Sequence, residues 1–163
     1  MTFFKKMLHT IMLRSASDPP EFQIAGRRRA RLLETHDGDT MKVAIVLRGK
    51  VVKVAVRLLG VNTPEVRTKD ADEAAGVAAR DFVAAWALPG RMQVGGRYTE
   101  GALKEAYAAT HVMLYIDFQG ADKFGNRTLG RVYRHGECLN DLLISSGHAV
   151  AYDGGTKAEF VKK

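Results

Sequence analysis

A chain of 163 residues with 46% hydrophobic and 26% charged residues is one domain's worth of globular polypeptide, too short for two comfortable cores. Its formal charge of +7 and pI of about 9.7 favour a polyanionic partner, because Lys and Arg release condensed counterions when they neutralise phosphates. A single cysteine, Cys138, excludes an intrachain disulfide and a cysteine-built metal site, and no apolar run approaches the roughly 20 residues that span a bilayer.

In chain order, Lys5 and Lys6 precede an apolar patch that His9 and Thr10 interrupt and Arg14 closes, a pattern closer to an amphipathic tail than to an export signal. Asp18-Pro19-Pro20 then reads as a linker, so residues 1–25 are expected to be a tail. Arg27 to His36 is basic and then apolar, and ends at His36-Asp37-Gly38-Asp39, where glycine is expected to take the positive φ of a primed hairpin turn. Thr40 to Leu47 and Val52 to Leu58 alternate apolar and polar residues across Arg48-Gly49-Lys50. Three consecutive antiparallel strands follow from that alternation. The run Arg27-Arg28-Arg29 with Arg31 has two balanced readings, a solvated basic strand end and an edge that tracks phosphates.

From Asp72 to Leu88 the period changes. Ala74, Ala78, Phe82 and Trp86 recur every fourth residue, which predicts a helix with Trp86 on its buried face, ended by Pro89-Gly90. Residues 91–110 look like an insertion holding a short helix over 100–109. His111 to Phe118 and Leu129 to Tyr133 are strand-like on either side of a loop over 120–126. Leu139 to Ser146 predicts a helix capped by Gly147, and residues 154–163 form a second tail, with a turn-rich entry at Asp153 to Lys157. Cys138 beside this apolar segment reads as a packed thiol. The order of three strands, helix and two strands matches a five-stranded OB-fold, a β-barrel with helices, over residues 26–153.

Three segments carry candidate chemistry: His36-Asp37-Gly38-Asp39-Thr40, Arg57-Leu58-Leu59-Gly60-Val61-Asn62-Thr63-Pro64-Glu65, and Asp122-Lys123-Phe124-Gly125-Asn126-Arg127. Each alone reads as a turn or loop. Together they hold what phosphodiester hydrolysis needs: oxygen ligands for a hard cation, forked cations for non-bridging oxygens, and a carboxylate near water. Asp39, Asn62 and the Thr63 carbonyl supply oxygens. Arg57 and Arg127 bind phosphate through paired donors, which a lysine does only as a point charge. Glu65 lies a few residues from the metal-side loop. The five histidines show no zinc-ligand spacing, and His36 reads as a turn histidine beside the site.

These motifs, in this order and spacing from Arg29 to about Tyr152, resemble the thermonuclease (staphylococcal nuclease-like) family, in the compact form found in phages and bacteria. The resemblance implies a Ca²⁺-dependent nuclease, with another divalent cation as an alternative, acting on DNA and RNA with little sequence preference. It implies Asp39 as metal ligand, Arg57 and Arg127 as clamps on the transition-state phosphate, and Glu65 as the residue that activates or orients water. Lys123 and Tyr152 are the implied substrate-binding residues. Asn62 stands where staphylococcal nuclease has a second metal-binding aspartate, so weaker cation binding is expected. Asn126 lengthens the third motif by one residue, which makes Arg131 the fallback for Arg127. The same resemblance leaves two rivals to the enzyme, a weak or inactive OB-fold nucleic-acid-binding module and a phage structural component. The chain is expected to be monomeric, with no membrane partner, and cytoplasmic, with secretion as the alternative that a disulfide-free protein leaves open.

Overall fold

A computed structural model describes residues 23–66, 72–123 and 126–153, together with Lys5, Met7, Leu8 and Met12. Phe124, Gly125 and the turn-rich end from Gly154 lie outside the described residues, as does most of the N-terminal tail.

The strands are β1 (Ala25–Asp37), β2 (Thr40–Leu47), β3 (Lys50–Leu58), β4 (Val61–Asn62), β5 (Met113–Ala121), β6 (Thr128–Arg134), β7 (Glu137–Cys138) and β8 (Val150–Ala151). The helices are α1 (Asp72–Ala87), α2 (Glu100–Thr110) and α3 (Leu139–Ser145). β1, β2 and β3 form the expected antiparallel meander, with Asp37 opposite Thr40 across a two-residue turn and Val43 opposite Val54. β1 pairs on its other side with β5, and β5 with β6. A parallel pairing of Val56, Arg57 and Leu58 with Thr128, Leu129 and Gly130 joins β3 to β6. Five strands thereby close into an OB-like barrel, and closure leaves β3 and β6 with no open edge where they pair. β7 extends β6, and β4 pairs with β8 in a separate two-stranded ribbon.

Alternation explains the core. Leu32, Met41, Val43, Val56, Leu58 and Ile116 point inward and are essentially buried, while Lys42, Lys53 and Arg57 alternate onto the outer wall. Helix α2 packs on β1 through Leu103 and Tyr107, and α3 contributes Leu139 and Leu143 to the core. The buried phenol of Tyr107 hydrogen-bonds Thr35 Oγ1 at 3.1 Å, and burial pushes its pKa up to about 12.

Helix α1 differs from its prediction. Its buried stripe is Gly76, Ala79, Val83 and Ala87, whereas Ala74 is exposed and Ala78, Phe82 and Trp86 are half-buried. Phe82 and Trp86 pack against the core as partly buried side chains, and the Trp86 indole N–H donates to Glu137 at 3.3 Å. Small residues face the barrel because its backbone comes so close there. A Cβ on Gly76 would lie 2.5 Å from the Glu65 carbonyl oxygen, and one on Gly38 would lie 2.8 Å from the Ala79 Cβ. Gly38 is therefore required by this approach; it is not among the positive-φ residues, so the primed-turn reason expected for it does not apply.

The segment 91–110 is tied to α1. Arg97 N–H donates to Asp81 at 2.7 Å, and Arg80 donates to the Tyr98 carbonyl at 2.5 Å. Thr99 caps α2 by accepting from Ala102 N–H at 3.2 Å. The last helix ends one residue earlier than expected, with Ser146 as cap and Gly147 beyond it at a φ of 75°. Among the described residues, no helix is long and apolar enough to cross a membrane.

Candidate functional site

The β1–β2 turn, the end of β3 and the β4 segment meet at one rim of the barrel. The turn delivers Asp39, whose backbone carbonyl accepts from Leu58 N–H at 2.8 Å and so fixes it against β3. One carboxylate oxygen accepts from Thr63 N–H at 2.8 Å and is ion-paired with Arg57. The other accepts from the Thr40 hydroxyl at 3.2 Å. Arg57 also donates to the Asn62 amide oxygen at 3.3 Å and to the Asp39 carbonyl at 3.4 Å. Both partners of the ion pair are largely withdrawn from water, Arg57 being 13% and Asp39 8% exposed in their side chains. Two segments more than 15 residues apart in sequence thus share one guanidinium.

The strand pairing also sets where Arg127 stands. Arg57 is opposite Leu129, two residues beyond Arg127. Arg127 lines a cavity of about 250 Å³ together with Lys53, Ala55 and Asn126. On the other side of Ala55, a cavity of about 530 Å³ is lined by Glu34, His36, Thr40, Lys42 and Lys104. Both hollows are lined by Ala55 of β3, two residues before Arg57. Arg127 Nε donates to Asp122 at 2.8 Å, and Asp122 N–H donates to the Arg127 carbonyl at 2.8 Å, which closes their loop on itself. Arg131, the fallback, is engaged elsewhere: its guanidinium grips both oxygens of Asp141 at 2.7 and 2.8 Å. That contact lowers the Asp141 pKa.

Glu65 is exposed, and its backbone rests on Gly76 of α1. The following amide, Val66 N–H, donates to Asp37 at 3.3 Å. Tyr152 N–H donates to the Gly60 carbonyl at 3.0 Å, beside the β4–β8 ribbon in which Asn62 lies opposite Val150. Lys123 is exposed next to Asp122. His36 Nδ1 lies 3.1 Å from Glu100 of α2.

One side chain that the sequence alone did not single out, and one that it named without a role, also position the rim. Asn140 is buried at the start of α3; its Nδ2 donates to the Leu59 and Gly130 carbonyls at 2.8 and 3.2 Å, and its Oδ1 accepts from Val132 N–H at 3.0 Å. It locks the end of β3 to β6 just before the β4 segment begins. Asp122 holds Arg127. The signal for Asn140 was a polar residue among leucines in Leu139-Asn140-Asp141-Leu142-Leu143; for Asp122, a carboxylate five positions before an arginine in a short loop.

The donors around Asp39 are hard oxygens, the kind that divalent magnesium or calcium takes. Among the described residues Thr63 Oγ1 is buried without a hydrogen-bond partner, so the residue whose N–H binds Asp39 carries a hydroxyl with spare capacity besides the backbone carbonyl expected as a ligand. This donor set suits a hard cation in kind. It is poor in charge, since among the described residues no three His, Cys, Asp or Glu side chains gather where an ion would sit. No known family model matches the chain, and no curated protein matches it.

Proposed function

We propose that the chain is a divalent-cation-dependent phosphodiesterase that hydrolyses DNA and RNA with little sequence preference, and that calcium is its cation. The observation that carries this reading is the convergence of Arg57, Asp39, Asn62 and Thr63 at one rim, with Arg127 on the same stretch of wall. The motif order, which resembles the thermonuclease family, supports it.

When bound, the cation supplies charge for the non-bridging oxygens and polarises water. Asp39, Asn62 and Thr63 are the residues that would hold it. Arg57 presents a forked donor already fixed by the strand pairing, and a fixed donor costs no reorganisation as charge builds on the phosphate. Arg127 supplies a second fork from the β5–β6 loop. Glu65 orients water or takes its proton as the water oxygen bonds phosphorus and the P–O bond to the leaving nucleotide breaks. Lys123 and Tyr152 flank the substrate, and backbone contacts of this kind carry no sequence information.

One observation favours the rival reading of an OB-fold nucleic-acid-binding module. The amide at Asn62 contributes no charge, and Asp39 alone offers a carboxylate to the ion among the proposed ligands. The two readings separate on plasmid and single-stranded DNA incubated with calcium, with chelator, and with Glu65→Gln. The enzyme reading expects calcium-dependent cutting that chelator abolishes and that Glu65→Gln lowers by about a hundredfold or more. No cutting with any divalent ion would leave the binding module; equal cutting by a folded Glu65→Gln protein would remove that residue's role.

A further inference from the structure

The arginine run at the start of the domain takes no part in the proposed hydrolysis. β1 alternates there, so Arg27, Arg29 and Arg31 are exposed on the outer wall while Ala30 and Leu32 are buried. Alternate residues of a strand lie about 6.6 Å apart, which sets the three arginine positions in a row along β1 at a spacing close to that of phosphates on an extended single strand. Across the antiparallel pairing, Arg29 is opposite Tyr115 and Arg31 opposite Met113. Tyr115 in turn is opposite Tyr133 of β6.

This wall is aromatic as well as basic. The Arg27 guanidinium stands 5.5 Å from the Tyr115 ring centre and 5.1 Å from that of Tyr133. Tyr115 is 49% exposed and Met113 40%. The row extends across β2 and β3 to the paired Val46 and Val51, which are 62% and 73% exposed. Opposing charge is thin: Asp117 lies 3.9 Å from Arg27, and Arg29 and Arg31 form no ion pair among the described residues. A solvated strand end needs charge; it does not need tyrosines and valines held open to water beside it.

We propose that this outer wall of β1, β5 and β6 is a binding surface for single-stranded nucleic acid, separate from the Asp39–Arg57 rim. Phosphates match the arginine line, and unstacked bases lie on Tyr115 and on the guanidinium-covered face beside it. An acidic polypeptide satisfies the arginines but leaves the rings without a flat partner. A duplex offers phosphates while its bases stay in their own stack. A second copy of the chain brings the same positive wall against itself.

The test is fluorescence anisotropy with a short labelled oligothymidylate, in chelator, on the wild type and on Arg127→Ala, which keeps the buried Arg57–Asp39 pair, so that neither hydrolysis nor the Arg127 side of the rim reports. Both proteins are expected to bind it. Arg29→Glu with Arg31→Glu weakens binding more than tenfold and flattens the log–log salt slope by about 1.4, the yield of two single-strand phosphates. Tyr115→Ala weakens it roughly tenfold and leaves the salt slope unchanged. Arg29→Lys with Arg31→Lys keeps the slope, which holds the test open if the charge reversal fails to fold. The proposal is overturned if a folded Arg127→Ala protein loses binding, if Tyr115→Ala binds as the wild type does, or if a duplex or polyglutamate competes as well as the oligonucleotide. It is overturned equally if sedimentation shows that Val46→Lys splits a stable dimer formed through this wall.

Discussion

Two arginine–aspartate pairs face the same stretch of barrel wall, and they are held in opposite ways. Arg57 lies on β3 and Asp39 in the β1–β2 turn, 18 residues apart, and the pairing of Thr40 with Arg57 brings them together with both side chains largely buried. Arg127 and Asp122 lie five residues apart in one loop, with Arg127 30% exposed. The first pair belongs to the barrel's architecture, so it cannot be altered without disturbing the fold. The second is closed by contacts between Asp122 and Arg127 themselves, outside the barrel's strand ladder, so a change there removes fewer contacts. Position alone thus separates an arginine tied to both the fold and the proposed chemistry from one tied chiefly to the proposed chemistry.

The sharpest way to break that contrast is to remove each arginine in turn. Arg57→Ala leaves Asp39 buried without its cation, so stability is expected to fall by about 3 kcal/mol and cleavage by about a thousandfold. Arg127→Ala is expected to cost about a hundredfold in rate but only about 1 kcal/mol in stability. Urea unfolding and single-turnover cleavage on the same preparations measure both quantities. If Arg127→Ala destabilises as much as Arg57→Ala, the loop is as rigid as the barrel and the contrast is lost.

Gly76→Ala probes how the architecture reaches the Glu65 loop. In an exposed helix this change stabilises, by about 1 kcal/mol. Here the added methyl meets the Glu65 carbonyl, so a loss of about 1–3 kcal/mol is expected from overpacking, together with a lower kcat as Glu65 shifts. A raised melting temperature with unchanged kcat would show that α1 does not brace this loop.

The smallest effect belongs to Glu34, the solvated counterpart of both aspartates. Lys42 at 2.8 Å, Lys104 at 3.2 Å and Lys53 at 3.6 Å surround it. The hydrogen bond from Lys42, with help from Lys104, holds its pKa at about 2 against an ordinary 4.5. A carboxylate with a depressed folded pKa stabilises the fold above its unfolded value and loses that contribution as pH falls through the folded one. Urea midpoints are therefore expected to drop between about pH 4.5 and 2 in the wild type, and to drop less in Glu34→Gln. Equal slopes would mean that these lysines make no net contribution, as is common for exposed pairs.

Much of the fold was legible in the chain. The alternation in Thr40–Leu47 and Val52–Leu58 fixes which residues face the core, because a strand turns its side chains every second residue. The helical period over 72–88 foretold α1, but not which side it buries. Phe82 and Trp86 look like core by hydrophobicity, whereas the barrel backbone approaches so closely that only Gly76 and Ala79 fit between them. The same approach explains Gly38, whose need for a missing side chain looked like a need for positive φ.

The candidate site divides along the same line. The types and order of Asp39, Arg57, Asn62, Thr63, Glu65 and Arg127 are readable in the sequence, because phosphate chemistry calls for those groups in any fold. The meeting of Asp39, Arg57, Asn62 and Thr63 is a tertiary fact, since strand register carries Arg57 to Asp39, while the parallel β3–β6 pairing sets Arg127 on the neighbouring strand. Asn140 shows why the rest was hidden: its three hydrogen bonds go to backbone groups at Leu59, Gly130 and Val132, and backbone groups leave no mark in composition. By itself the sequence determined the alternating strands, the positive charge and the chemical inventory, since those depend on each residue's own nature. Only the tertiary structure decided which oxygens share one guanidinium, which helix face is buried and which wall stays open, because those depend on how closely distant segments approach.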